Sequence, residues 1–461
     1  MQIRCLIASA LAASLAACAT FSPDGGRNEV QALVQERIGA PAKGLGSEGT
    51  VAALLDGPLT ADTAVEIALR NNPALQARLA EVGVAEADLV QAGTLRNPAF
   101  AYSNKHNAEV VHIERSFLVN VAQLLTMPLA LEIEQRRFAQ VKLAAASEVV
   151  ATAAATREAY FRAIAAQEMV AYYGQVKVAA EAGRDLARRM ADVGNFSKLA
   201  QMREELFFAD ATTQLARAQH SAFVERERFI RMLGFAEFPP GLALPARLPD
   251  LPAQPISLPA AEQTAMDRRL DVRMAALETE AVARALGLSK ATRFVNVLDA
   301  GYINESETGE ARKNGYAIVL EIPIFDWGHA RVARAEAQYR RAVARTAETA
   351  VVARSEVRAG YATYRTAYDL AKHYRDEVVP LRKRIADETA LRYNAMLIGV
   401  FELLADAREQ VASVNTAIEA TRDFWLADTA LQLALAGRST DTVSSMPSRQ
   451  APAAASAPRA H

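Results

Sequence analysis

The chain has 461 residues, with 52 Lys and Arg set against 53 Asp and Glu, a formal net charge of -1 and a pI near 6.6. Phosphate binding needs a concentrated positive surface, and no basic block is present, so this balance excludes a generic electrostatic nucleic-acid binder. Length alone predicts about three globular domains, a prior that fails for rod-shaped chains.

The chain opens with "MQIRCLIASALAASLAAC". Arg4, an apolar run too short to span a bilayer and small residues before a cysteine make this an export signal rather than a membrane anchor. Leu15, Ala16, Ala17 and Cys18 resemble the lipobox of bacterial lipoproteins, which implies cleavage before Cys18 and acylation of its thiol; Ala19 resembles the version sent to the outer membrane. A plain secretory signal with a chance cysteine is the alternative. Cys5 lies inside the signal, so Cys18 is the one cysteine expected in the mature chain, which leaves no intramolecular disulfide and no cysteine metal cluster. "GLGSEG" (residues 44–49) fits G-x-G-x-x-G, but no strand precedes it, so it reads as a flexible linker. No later segment offers about 18 uninterrupted apolar residues, so no transmembrane helix is predicted.

From residue 64 the chain is written twice. "AVEIALRNNPALQARLAEVGVAEADL" aligns with "AEQTAMDRRLDVRMAALETEAVARAL", so that Ala68 meets Ala265, Leu75 meets Val272 and Glu81 meets Glu278. Each copy then carries a strand-like run, "PAFAYSNK" or "FVNVLDAGYIN", a polar loop and a second strand-like run ending at proline. In the first copy that run is "SFLVNVAQLLTMP", ending at Pro128. In the second it contains Tyr316, Ile318, Leu320, Ile322 and Ile324 in strict alternation and reaches Pro323. "NESETGEARK" reads as the exposed end of the second hairpin.

A long helical pattern follows each proline, to "GNFSKL" at Gly194 in the first copy and "YNAMLIGVF" at Met396 in the second, with no strong turn signal in the latter before Pro380. The two spans differ by one heptad, an insertion that preserves the buried face of a coiled coil. A helix of roughly 65 residues would be about 100 Å long. Its alanine-rich stretch "LAAASEVVATAAATREAYFRAIAAQ" predicts close helix packing. Return helices end at Gly234 and Gly437, where glycine suits a helix C-terminus. "PPGLALPARLPDLPAQP" reads as an extended proline-rich linker between the copies, and the Ser-, Ala- and Pro-rich tail as disordered.

Two strands per copy give four in all, and the second and fourth alternate between apolar and polar faces: Phe117, Val119 and Val121 against Glu114, Ser116 and Asn120, and Ile318, Leu320 and Ile322 against Glu321. Strands cross a bilayer only as a closed barrel, and known barrels begin at about eight strands, so spanning would require oligomerisation. An ordinary sheet with one solvated face shows the same period.

The span from about residue 59 to 437 resembles the TolC-type outer membrane efflux proteins, lipoprotein branch. The resemblance rests on the duplicated order of elements, the passages "LTMPLALEIEQRR" and "IPIFDWGHARVARA", the tips "GNFSKL" and "RYNAMLIGVFELLADAREQ", and "VQERIGAP" near the N-terminus. It implies a mainly α fold with a membrane β-barrel: long antiparallel coiled-coil helices form a periplasmic tunnel, and four β-strands per protomer contribute to a trimeric 12-stranded barrel. The implied organisation is a lipoprotein signal peptide (1–17), a lipidated N-terminal segment and linker (18–58), a first repeat (59–237), a Pro-rich linker (238–256), a second repeat (257–437) and a disordered tail (438–461).

The resemblance also implies a homotrimer in outer membrane lipid that works with a periplasmic adaptor and an inner-membrane pump to export small molecules or metal ions. The adaptor-docking tips would be Gly194, Asn195, Phe196 and Ser197 with Met396, Leu397, Ile398 and Gly399. Met396 stands where the family often has Gly, and Gly399 where it often has Ser. Asp406, Arg408 and Glu409 would help hold the tunnel shut, although a solvated helix face explains such charges equally well. A lipid-anchored periplasmic coiled-coil adaptor or scaffold, tethered by Cys18, is the alternative function.

No P-loop, G-x-S-x-G or H-E-x-x-H occurs, and helices of this pattern scatter carboxylates over solvated faces; neither an enzyme nor a cofactor is expected. His106 and His112 flank "NAEVV" and are conceivable as a metal pair, but with no accompanying cluster they read as exposed histidines and no metal is assigned. His329 reads as part of a strand-to-helix junction.

Overall fold

The computed structural model describes residues 20–45, 51–55, 57, 59–237, 239–257, 261–294 and 297–437. The signal, Cys18, most of "GLGSEG" and the C-terminal tail lie outside the described residues.

Both copies contain the same elements in the same order. The first has α3 (Ala61–Asn71), α4 (Pro73–Ala92), β1 (Ala99–His106), β2 (Val111–Asn120), α5 (Val121–Asp192) and α6 (Lys198–Leu233). They follow a short N-terminal part made of α1 (Arg27–Ile38), a 3-10 turn (Ala40–Leu45) and α2 (Ala52–Leu55). The second copy has α7 (Ala261–Arg268), α8 (Leu270–Ala291), β3 (Leu298–Glu307), β4 (Lys313–Leu320), α9 (His329–His373), a π-turn (Tyr374–Val378), α10 (Val379–Asn394) and α11 (Val400–Ala436).

The leading helix of each copy is broken at the aligned residue, Asn72 in one and Arg269 in the other, by different chemistry. Asn72 caps α4 through its side-chain oxygen, while its amide nitrogen donates to Met232 O in the last turn of α6. Arg269, fully buried, donates to Ala434 O in the last turn of α11 and pairs with Asp271 and Glu356 at 2.6 and 2.9 Å. In both copies the break is held against the end of the return helix. The tight approach makes Gly234 necessary: its φ is 81°, and a Cβ there would sit 2.5 Å from Asn71 O. Gly437 also ends its return helix, but with φ -103° rather than in the left-handed region.

Helix α5 has 72 residues, about 110 Å at 1.5 Å per residue. It begins at Val121, immediately after β2, so the strand is shorter than the expected run to Pro128: Val121 is not on its apolar face, and Pro128 lies inside the helix. Asn120 decides this boundary, because its side-chain oxygen accepts from Gln123 N at 2.6 Å and caps the helix. In the second copy the strand stops at Leu320, which leaves Ile322 and Ile324 beyond the ladder. The exposed hairpin end is also shorter than "NESETGEARK", since β3 pairs as far as Glu307.

The second long helix is not continuous. At the π-turn the N–H of Val379 reaches back to Tyr374 O, and Pro380 opens α10. Proline has no N–H and its ring crowds the carbonyl one turn back, so widening that turn relieves the clash without ending the helix.

Small residues carry the packing. Ala145, Ala146, Ala153, Ala159 and Ala163 of α5 are buried, with Val149, Tyr160, Phe161 and Ile164 filling the larger gaps. The N-terminal part packs on this core rather than trailing loosely: Val30 and Val34 are buried with Leu79, Val82 and Leu143, and Arg37 donates to Arg268 O at 2.9 Å in the second copy. The proline-rich linker is extended and laced down. Its carbonyls accept from Trp425 (Pro249 O, 3.0 Å) and Tyr368 (Pro252 O, 3.0 Å), and Ile256 N–H donates to the Tyr364 hydroxyl.

Candidate functional site

The two hairpins join into one antiparallel sheet of order β1-β2-β3-β4. The seam between the copies is β2 against β3, with Phe117 opposite Tyr302 and Glu114 opposite Glu305. β1 and β4 are left as edges whose outer backbone groups have no strand partner among the described residues of the protomer.

The register sorts the side chains onto two faces. One carries Phe100, Phe117, Tyr302 and Tyr316 in a row across all four strands, with Val119, Ile318 and Leu320 beside them. All seven are exposed, Tyr316 at 84%. The other face holds Ser103, Glu114, Glu305 and Lys313 in one row, Ser116 below it, and the hydrogen bond from Asn120 to Asp299 at 2.8 Å. At Gly301 a Cβ would lie 2.2 Å from Phe117 O, so only glycine permits the strands to approach this closely. His106 and His112 occupy successive positions of β1 and β2 that point to opposite faces, so they form no pair: His106 lies opposite Val111, and His112 opposite Lys105. His329, first residue of α9, lies within hydrogen-bond distance of the Arg293 guanidinium, which is the donor, at the junction.

The tips lie at the far end of the long helices from the sheet. At the first, Gly194 has φ 78° and Asn195 N–H donates to Met190 O, while Ser197 caps α6 by accepting from Ala200 N. Phe196 lies between these two caps. At the second tip the same backbone shape recurs with different residues. Met396 takes the left-handed position at φ 58°, and Leu397 N–H donates to Arg392 O. Gly399 sits at the N-cap of α11 with no side chain to accept. Met396 and Leu397 are 93% and 74% exposed, and Ile398 lies between Leu397 and the cap.

Of the three charged residues beyond the second tip, two are linked. Arg408 donates to Glu204 of α6 at 2.8 Å and lies over the Phe207 ring, 4.6 Å from its centroid. Arg382 of α10 donates to Glu409 at 2.9 Å. Among the described residues Asp406 has no hydrogen-bond or ion-pair partner. Glu204, only 2% exposed, is the residue that sequence reasoning missed; an acid within the "EELFF" stretch gives no sign that its partner lies in the other repeat.

No helix among the described residues is long and apolar enough to cross a membrane. No protein-family model matches the chain, and no curated protein does. Solved structures do. The chain is similar to the outer membrane channel CmeC of Campylobacter jejuni (14% identity, 81% of this chain, 85% of that one, TM-score 0.70). It is also similar to the open state of the MtrE outer membrane channel of Neisseria gonorrhoeae (15%, 81% and 88%, 0.70) and to the outer-membrane channel OprN (19%, 85% and 92%, 0.69). The fold is that of the TolC-type outer membrane channels, as the resemblance in sequence implies.

Proposed function

We propose that the chain is one third of a homotrimeric outer membrane channel that passively exports small molecules or metal ions within a tripartite efflux system. One observation carries this reading: a four-stranded sheet with two open edges has an apolar row on one face and a polar row on the other, and its strand β2 runs directly into a helix about 110 Å long. Four strands cannot close. Three copies, pairing β4 of one with β1 of the next, satisfy every edge with twelve strands, put the aromatic row against lipid and leave the polar row facing water.

The helices would extend the lumen into the periplasm, with Met396 and Leu397 among the tip residues offering apolar contacts to an adaptor coupled to an inner-membrane pump. Arg408–Glu204 and Arg382–Glu409 would hold the tips closed, and opening would replace these links by another packing of similar free energy. Acylation of Cys18 would add a lipid anchor. The protein itself would do no chemistry.

Imaging the full chain in detergent tests the assembly. A trimeric tube ending in a barrel is expected, with ion conductance after reconstitution into planar bilayers. A monomer that is soluble once the lipid is removed would instead favour a tethered periplasmic scaffold. Labelling with a fatty-acid analogue, lost in Cys18→Ala, tests the anchor.

A further inference from the structure

The polar face of the sheet contains a group of side chains that neither the channel reading nor the sequence accounts for. His112 and Glu114 of β2 and Glu305 of β3 each bring one donor atom, an imidazole nitrogen or a carboxylate oxygen, and these atoms lie within 4.8 Å of one another. Two of the three are register partners, Glu114 directly opposite Glu305. Like charges directly opposite across a ladder are destabilising, so such a pair calls for a cation.

Two lysines border the group, Lys313 opposite Glu305, whose charge acts on it at a distance, and Lys105 opposite His112, but neither forms a hydrogen bond with any of the three. Among the described residues none of the three side chains makes a hydrogen bond or ion pair. Lys313 faces Glu305 from β4 but pairs with Glu310 in the hairpin turn. All three side chains are half-buried.

We infer that His112, Glu114 and Glu305 form a divalent-cation site in each protomer. Bonds of about 2.1 Å place tetrahedral ligands roughly 3.4 Å apart, a contraction that rotation of two glutamates can provide. One imidazole with two carboxylates suits Zn2+, Cu2+, Ni2+ or Co2+ rather than the all-oxygen preference of Ca2+ or Mg2+. Because β2 and β3 belong to different repeats, the bound ion crosslinks the seam between them and stabilises the fold by mass action. The site needs only the folded sheet, so its existence is independent of whether the assembly conducts.

The test uses the full chain in detergent, purified without a polyhistidine tag, and titrated with Zn2+ and Cu2+. The expected result is one saturable ion per protomer, a rise in thermal midpoint with Zn2+, and a Cu2+ paramagnetic resonance spectrum coupled to one imidazole nitrogen. His112→Ala should abolish that coupling and weaken binding by at least about tenfold, the scale of losing metal-site support. Glu305→Gln, which keeps the side-chain shape, should weaken binding while leaving the nitrogen coupling in the residual signal. His106→Ala, on the opposite face, should change nothing. Binding that is unaltered by both His112→Ala and Glu305→Gln, or that is abolished by His106→Ala, overturns the assignment. Should His112→Ala fail to assemble, Glu305→Gln and Glu114→Gln decide the matter alone.

Discussion

At the residue scale, the most informative position is Met396. The two tips share one backbone path, and in the first the left-handed position is held by Gly194. A side chain in that region costs about 1–2 kcal/mol, and Met396 is almost fully exposed, so no packing within the protomer repays it. Met396→Gly should therefore stabilise the tip by about 1 kcal/mol, visible as slower amide exchange there. If Met396 is held for adaptor contact, the same variant should bind adaptor more weakly. Asp428 gives a second prediction. Burial raises its carboxyl above the usual range, against the pull of Arg157 and the hydrogen bond from Gln432. A raised acid favours the fold while protonated, so its contribution is fully present below the unfolded pKa and is lost as pH rises through the folded value. Asp428→Asn should flatten this part of the stability–pH curve and leave the protein more stable than wild type at pH 7, as thermal melts across pH 4 to 7 would show.

At the scale of elements, the two copies differ where the packing permits it. Helix α5 runs unbroken, whereas its counterpart carries a π-turn before Pro380. Near the tips the two repeats are tied by Arg408 to Glu204, whose carboxylate is buried. A hydrogen bond to a charged group contributes about 1.5–3 kcal/mol. If it exists only in the closed state, Glu204→Gln or Arg408→Ala should raise the open-to-closed ratio by about tenfold or more. Single-channel recordings would read this as higher open probability, and the double variant should add little to either single one. Unchanged gating in both would remove these residues from the gate.

At the scale of the whole molecule, the proposed trimer would depend on the open edges of β1 and β4. Proline within an edge strand removes a ladder donor. Ile318→Pro should therefore abolish the trimer on native gels or in size-exclusion chromatography while preserving helical circular dichroism, because the helices draw their stability from cores far from the sheet, such as Phe229 with Tyr160 and Phe424 with Tyr364. A trimer that survives this change would show that the helices, not the strands, hold the assembly together.

The duplication, the order of elements and the position of both tips were legible in the sequence, because each depends on local periodicity and turn chemistry repeated at a fixed offset. The apolar and polar faces of the strands were legible for the same reason. Strand ends were not: Asn120 and the π-turn decide them through a cap and a steric clash, which alternation cannot register. Equally hidden was everything that pairs distant segments, including Arg269 against Ala434, Arg408 against Glu204, the laced proline-rich linker and the meeting of His112 and Glu114 with Glu305. Those contacts lie between residues far apart in the chain, and only the antiparallel seam and the side-by-side helices bring them within bonding distance.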